Sequence, residues 1–341
     1  MKWYSPLFML ARSALGVALL IYVLRSGGAW ESLRGLFAFG WLVVLLNMVP
    51  LMGAAIEASR LRVLFRAQGL PVSFSTGFRV VAIGALFNLF IPGGTGGDVM
   101  KLYYLSRQHR GRGVEIATVL FVDRAVALFA LLLFIAGLLI AQRPLVTLAP
   151  MLPGAALGVA LCLTLILVGT LVVWSTWIRG SAAYRIVTER FPLGRHLARA
   201  ADAAYTFRAR KSALLLAALY SFVGHVMLAA TLALAGTVLV PTAPPLMVAT
   251  LSLLALMANV IPITPGGIGV GEAAAETLFR SVGIQGGAAV VAAWRAGMAA
   301  VYVLGAGLYV LSDRGPRRTS TSQPGTPAAT VRVTSHSRMV Q

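Results

Sequence analysis

Of the 341 residues, 58% are hydrophobic and only 11% are charged. A soluble domain carries roughly a quarter charged residues, so this composition excludes a soluble catalytic domain and points to a membrane protein. The formal net charge is +19, from 29 basic and 10 acidic residues. The basic residues gather between apolar blocks, which reads as loops facing anionic lipid rather than as a nucleic-acid surface.

The apolar blocks fall near 6–24, 36–56, 74–91, 114–141, 154–177, 213–240, 244–261 and 286–311. Each approaches the ~20 residues that a helix needs to cross ~30 Å of hydrocarbon. None shows the ~10-residue alternation of a membrane β-strand. Lys2 precedes the first block, but the run reaches Leu24 and ends at Arg25 without a small-residue cleavage site. Residues 1–24 therefore read as a retained first helix, not a signal peptide.

Arg60, Arg62 and Arg66 follow the second block, and Lys101, Arg107, Arg110 and Arg112 follow the third. A single crossing between them would put two basic loops on opposite faces, against the positive-inside rule. The stretch 73–111 is therefore expected to enter from the cytoplasm, turn and return. Two crossings follow, then the basic stretch 178–212, expected to hold amphipathic helices on the membrane surface. After the crossing at 213–240, residues 241–285 hold one basic residue, Arg280. Both ends of that stretch read as external, which makes it a second re-entrant hairpin.

The expected fold is all-α and polytopic, with about six spanning helices, two Gly/Pro-broken hairpins and both termini on the cytoplasmic side of a cell inner membrane. Eight ordinary spans are the alternative. One membrane domain is expected over 1–312, with repeat halves at about 36–141 and 213–311. A Ser/Thr/Pro/Arg-rich disordered tail is expected over 313–341. Cys162 stands alone and the four histidines lack ligand spacing, so neither a metal site nor a cofactor is expected.

The two odd segments resemble each other. The first runs Asn88-Leu-Phe-Ile-Pro92-Gly93-Gly94-Thr-Gly96-Gly97-Asp98. The second runs Asn259-Val-Ile-Pro262-Ile-Thr-Pro265-Gly266-Gly267-Ile-Gly269-Val-Gly271-Glu272. Each has an Asn, a Pro, a glycine-rich turn and a carboxylate opening the next helix. Arg124 and Arg295 continue the match 171 residues apart. Entry from opposite faces would make this an inverted repeat with broken helices meeting near the midplane. A glycine break exposes amides that hydrocarbon cannot satisfy, so it must face protein, water or a polar ligand. Those amides favour an anion at the helix start, and Asp98 and Glu272 can instead cap it themselves.

Asp123 and Arg124 lie inside one apolar block and Arg295 inside the last. A charge at a helix centre costs ~2.5–3.5 kcal/mol on insertion scales, so such residues pair or line a hydrated cavity. One reading is a structural tie of Arg124 or Arg295 to Asp98 or Glu272; the other is contact with a ligand or headgroup. Glu57 and Arg12 are placed to snorkel to an interface, and Glu276 shares a helix face with Glu272. The candidate substrate-binding residues are Asn88, Gly93, Gly94, Gly96, Gly97, Asp98, Lys101, Asp123 and Arg124 in the first half. In the second they are Asn259, Pro265, Gly266, Gly267, Gly269, Glu272 and Arg295.

The run Asn88–Arg107, the Asp123-Arg124 pair and the Pro262-to-Glu272 motif closely resemble the transmembrane region of lysylphosphatidylglycerol synthases, a flippase-like group of membrane proteins. The resemblance extends from about residue 10 to 312. It implies a lipid-translocating or lipid-handling domain whose partners are membrane phospholipids or other anionic lipids. In the full-length synthases a cytosolic aminoacyltransferase follows. With about 30 residues after the last span, that enzyme is not expected here. Two positions depart from the family pattern: Gly271 stands where Arg is frequent, and Lys101 replaces Arg.

The leading expectation is a flippase for an anionic headgroup or lipid-linked substrate. No Gly-x-x-x-x-Gly-Lys-Ser/Thr loop is present, so it would work without ATP. Alternatives are a secondary transporter of a small solute, a non-catalytic partner of a lipid-synthesis enzyme, and an enzyme using the carboxylates, for which no nucleophile–base pair is visible.

Overall fold

The computed structural model describes residues 40–91, 94–148, 151–176, 180–181, 194–261 and 263–313. The expected first span at 6–24 lies outside them, as does the tail from 314. Five long apolar helices are present among the described residues. They are α1 (Gly40–Ala67), α4 (Gly113–Ala141), α6 (Met151–Trp174), α8 (Lys211–Leu239) and the pair α11 (Gly287–Gly297) and α12 (Ala299–Asp313), which share one span broken at Met298.

Two shorter pairs interrupt this series. The first is α2 (Phe74–Asn88) with α3 (Gly96–Gln108); the second is α9 (Pro245–Met257) with α10 (Val270–Ser281). At 1.5 Å per residue the 15 residues of α2 and the 13 of α9 rise about 20 Å, short of the ~30 Å core. Two connecting helices complete the α-helices among the described residues, α5 (Arg143–Leu148) and α7 (Gly194–Thr206).

Packing shows where each pair begins and ends. One core cluster joins Leu64 and Phe65 at the end of α1, Leu105 at the end of α3, Ile116 at the start of α4 and Ala217 near the start of α8. Both ends of the α2–α3 pair thus lie at one end of the bundle, as a re-entrant hairpin requires. The other cluster joins Leu42 at the start of α1, Leu139 late in α4, Leu239 at the end of α8, Phe279 at the end of α10 and Ala288 at the start of α11. The second hairpin therefore enters from the opposite end. Helices α1 and α8 run antiparallel between the two clusters.

Close approach in hydrocarbon relies on small residues, because the lipid supplies no hydrophobic drive between helices. A methyl group on Gly297 would fall 2.2 Å from the Leu46 carbonyl oxygen, and one on Gly305 2.2 Å from that of Ala82. Helix α6 is different. Only Leu152 and Val159 are buried on it, while Leu157, Leu161, Leu165 and Leu171 point outward, as suits a helix apolar all round and facing lipid.

The sequence places amphipathic helices in 178–212. Of that stretch the described part holds α7, tied to the residue after α1 by Gln68 Nε2 donating to the Ala203 carbonyl at 2.5 Å.

Candidate functional site

The two hairpins carry the same construction. In the first, Gly94 adopts a positive φ of 62°, a conformation that glycine reaches without a Cβ penalty. Its carbonyl then accepts from Arg124 Nη2, while Arg124 Nε donates to Asp98. In the second, Gly266 has φ 61°. Its carbonyl accepts from Arg295 Nη1 at 2.8 Å, that of Gly267 from Nη2 at 3.2 Å, and Glu272 from Nε at 2.6 Å. Each half thus has a span arginine clamping a carboxylate and a glycine carbonyl of the broken turn. The guanidinium fork serves both at once.

The helix starts behind the turns are also satisfied. Asn88 Oδ1 accepts from the Gly97 amide at 2.7 Å, and Glu272 Oε2 accepts from the Gly269 amide at 2.9 Å, as a capping box does. Gly96 packs against α2 so tightly that a methyl would fall 2.2 Å from the Phe87 carbonyl oxygen. Pro265 is buried and its carbonyl accepts from the Ile268 amide at 3.2 Å. Gly93 lies outside the described residues. Asn259 differs from Asn88. Its Oδ1 is buried without a partner among the described residues. The two turns also meet, since a methyl on Gly266 would sit 3.3 Å from Leu89 Cα.

The halves differ in exposure. The Arg124 and Asp98 side chains are 47% and 26% exposed, those of Arg295 and Glu272 12% and 0%. One clamp is open and the other is sealed inside protein.

Asp123 does not join its neighbour Arg124. It turns to α1, where Arg60 Nε and Nη2 donate to its two oxygens at 2.7 and 2.9 Å, and Arg60 Nη1 donates to Ser221 Oγ at 3.1 Å. Lys101 Nζ reaches Glu57 at 2.5 Å and Asp98 at 3.8 Å. Glu57, expected at an interface, is therefore an ion-pair partner within the bundle, and Arg60, which reads as a loop residue, is buried. Sequence reasoning missed both pairs because α1 continues to Ala67, beyond the apolar block. The adjacency of Asp123 and Arg124 was the available signal: consecutive helix residues face ~100° apart, so one arginine could not serve both carboxylates nearby. Glu276 is buried too, accepting from Arg280 at 2.8 Å and from the Ala288 amide at 3.2 Å.

No curated protein and no solved structure matches the chain. A family model does, over residues 9–306: the lysylphosphatidylglycerol synthase transmembrane region. The matched segment contains both glycine turns, both clamping arginines and their carboxylates, and the protein is a multi-pass membrane protein belonging to that family.

Proposed function

We propose that this protein carries a phosphate-bearing lipid headgroup between the two leaflets, without ATP hydrolysis. The observation that supports the reading is the pair of matching arginine–carboxylate–glycine clamps on hairpins entering from opposite ends, one exposed and one sealed. Each arginine already has a carboxylate partner, so an arriving phosphate competes with Asp98 or Glu272 rather than binding a bare cation. Charge-assisted bonds to the phosphate would replace those to the carboxylate. The carboxylate then displaces the phosphate again, which keeps the headgroup from being trapped. Alternation of the open and sealed states would expose the headgroup first to one leaflet and then to the other. Acyl chains stay in the bilayer throughout.

The basic residues Arg66, Arg107, Arg110 and Arg112 flank the end of the bundle where α2–α3 enters. On the positive-inside rule we take that end as cytoplasmic, with both termini on the cytoplasmic side of a cell inner membrane. Membrane phospholipids are the partners, with a lipid-synthesis enzyme as a candidate supplier of substrate.

The test is reconstitution into vesicles carrying a labelled phospholipid in one leaflet. Movement should exceed that of protein-free vesicles and fall at least about tenfold with Arg295→Ala and with Glu272→Gln. Unchanged movement across anionic and zwitterionic phospholipids and a polyprenyl phosphate, with folded protein, would sink the translocation reading in favour of a membrane-partner role.

A further inference from the structure

A cavity of ≈ 270 Å³ lies between α1 and α8, joined to the first clamp through Lys101, which bridges Glu57 at 2.5 Å and Asp98 at 3.8 Å. Its α1 and α8 walls obey the internal repeat. Each lining position of α1 recurs on α8 171 residues later: Val49 with Tyr220, Gly53 with Gly224, Glu57 with Leu228, Arg60 with Thr231. These two walls therefore face each other across the axis that relates the two halves, and α2, α11 and α12 close the cavity. Its chemistry breaks that symmetry. Glu57, Arg60, Lys101 and Asp123 form two ion pairs, while the equivalent positions hold Leu228, Thr231, Ala275 and Trp294. The Thr231 hydroxyl is turned back onto the Met227 carbonyl at 2.7 Å, which leaves its methyl group for the wall.

Because α1 and α8 run antiparallel, Glu57 and Arg60 face Tyr220 and Ser221, and the Arg60–Ser221 hydrogen bond of 3.1 Å records that register. The polar groups thus collect at one end of the cavity. Val49, Leu228, Trp294, Met298 and Val301 line most of the remainder, where His225 turns its Nε2 to the Ala127 carbonyl at 3.0 Å. A cavity polar at one end and apolar at the other, inside a membrane domain, matches an amphiphile lying along it. The volume is near the lower end of ligand pockets, ~300–1,000 Å³, so it accepts a headgroup with the start of one chain while the rest stays in lipid.

Charge selects the headgroup. Glu57 is balanced by Lys101 and Arg60 by Asp123, so the polar end has no net charge to offer. A net-anionic or net-cationic headgroup would add an uncompensated charge in a low-dielectric site. A headgroup with one phosphate and one ammonium adds none. Glu57 is 35% exposed and only its Oε1 is engaged by Lys101, which leaves Oε2 for an ammonium. Arg60 donates three of its five N–H groups to Asp123 and Ser221, which leaves two, with the Tyr220 hydroxyl, for a phosphate.

We infer that this cavity is a binding site for a zwitterionic phospholipid, held headgroup-first between Glu57 and Arg60. The inference rests on the lipid-handling reading above and names its substrate class and seat. The experiment is lipid binding to the purified full chain by native mass spectrometry, with palmitoyl-oleoyl phosphatidylethanolamine, the matching phosphatidylglycerol, and soluble O-phosphoethanolamine as competitor. The zwitterionic lipid should bind about tenfold more tightly than the anionic one. Glu57→Gln should erase most of that preference. Gly53→Leu should weaken both lipids about tenfold at unchanged Tm, since nothing lies within 4 Å of a Cβ built there and the side chain fills the cavity. Soluble phosphoethanolamine should not compete.

Equal binding of the two lipids, indifference to Gly53→Leu, or full competition by the soluble headgroup would each overturn the inference, the last in favour of a small-solute site. The same variants in the vesicle assay separate the two readings. Movement that depends on Arg295 but ignores Gly53→Leu and Glu57→Gln retains translocation and removes the cavity as the lipid's seat. Selective binding without movement does the reverse.

Discussion

Arg60 and Asp123 join α1 to α4 by two hydrogen bonds, and the pair is nearly inaccessible. Truncating one member leaves a buried charge unpaired, which costs about 3–5 kcal/mol in protein interiors. Arg60→Ala should therefore lower Tm sharply in detergent, and Arg60→Met with Asp123→Leu should recover most of the loss, because the pair's desolvation disappears with it. An Arg60→Ala protein as stable as the wild type would show that water or another partner reaches Asp123. The glycine turns invite a similar comparison. Gly94 and Gly267 have φ of 62° and 67°, so an alanine at either carries a left-handed penalty of about 1–2 kcal/mol. Only Gly267 is also crowded: a methyl there would meet Asn259 Oδ1 at 2.5 Å and Asn259 Cβ at 2.8 Å. Gly267→Ala should exceed Gly94→Ala by about 1–3 kcal/mol of overpacking, measured as the difference in unfolding free energy. Equal losses would mean that Asn259 moves aside freely. The same Asn259 accounts for glycine at 271, where a Cβ would lie 2.7 Å from its Oδ1.

At the scale of elements, the hairpins were legible because two physical signals coincide on them. Basic residues flank both ends of α2–α3, whereas α9–α10 carries one, Arg280, paired with Glu276, and glycine-rich breaks stop each helix short of a crossing. The same repeat marked Arg124, Arg295, Asp98 and Glu272 as possible partners, and the structure supplies which arginine meets which carboxylate. The repeat did not mark the two ion pairs on α1. Apolar content marks a span's end at Ile56, whereas the helix runs on for about three more turns and carries Arg60 into the core. Its partner Asp123 is 63 positions away, with no periodicity linking them. The cavity between α1 and α8 was readable only in part, because its register follows the 171-residue offset but its walls had first to be known as walls. Topology is open to direct measurement. In a Cys162→Ser background, Arg110→Cys and Gln285→Cys, both exposed loop positions, should label from opposite faces, Arg110→Cys from the cytoplasm. Labelling of both from one face would remove the opposite entry of the hairpins and favour ordinary spans.

For the whole molecule, the difference between the halves matters more than their likeness. A repeat whose halves were in identical states would expose both clamps equally. Here Glu272 is sealed beneath Arg295, while Asp98 and Arg124 reach the surface. That difference is what the proposed alternating access requires of a repeat caught in one of its states. Under the proposed translocation, the exchanged arrangement, with the second clamp open, is the protein's other state. Its population depends on what holds the second clamp closed, and the bonds of Glu272 to Arg295 and to the Gly269 amide do so directly. Weakening them should shift the balance, since each tenfold change in population corresponds to ~1.4 kcal/mol. Thr264, fully buried beside that turn, reports on it. In a Cys162→Ser background, Thr264→Cys should react slowly with a water-soluble thiol reagent and about tenfold faster once Glu272→Gln is added. Arg110→Cys, on the opposite face, should be indifferent to that change. A Thr264→Cys rate unmoved by Glu272→Gln would mean that the clamp is a fixed tie, with opening and closing governed elsewhere in the bundle.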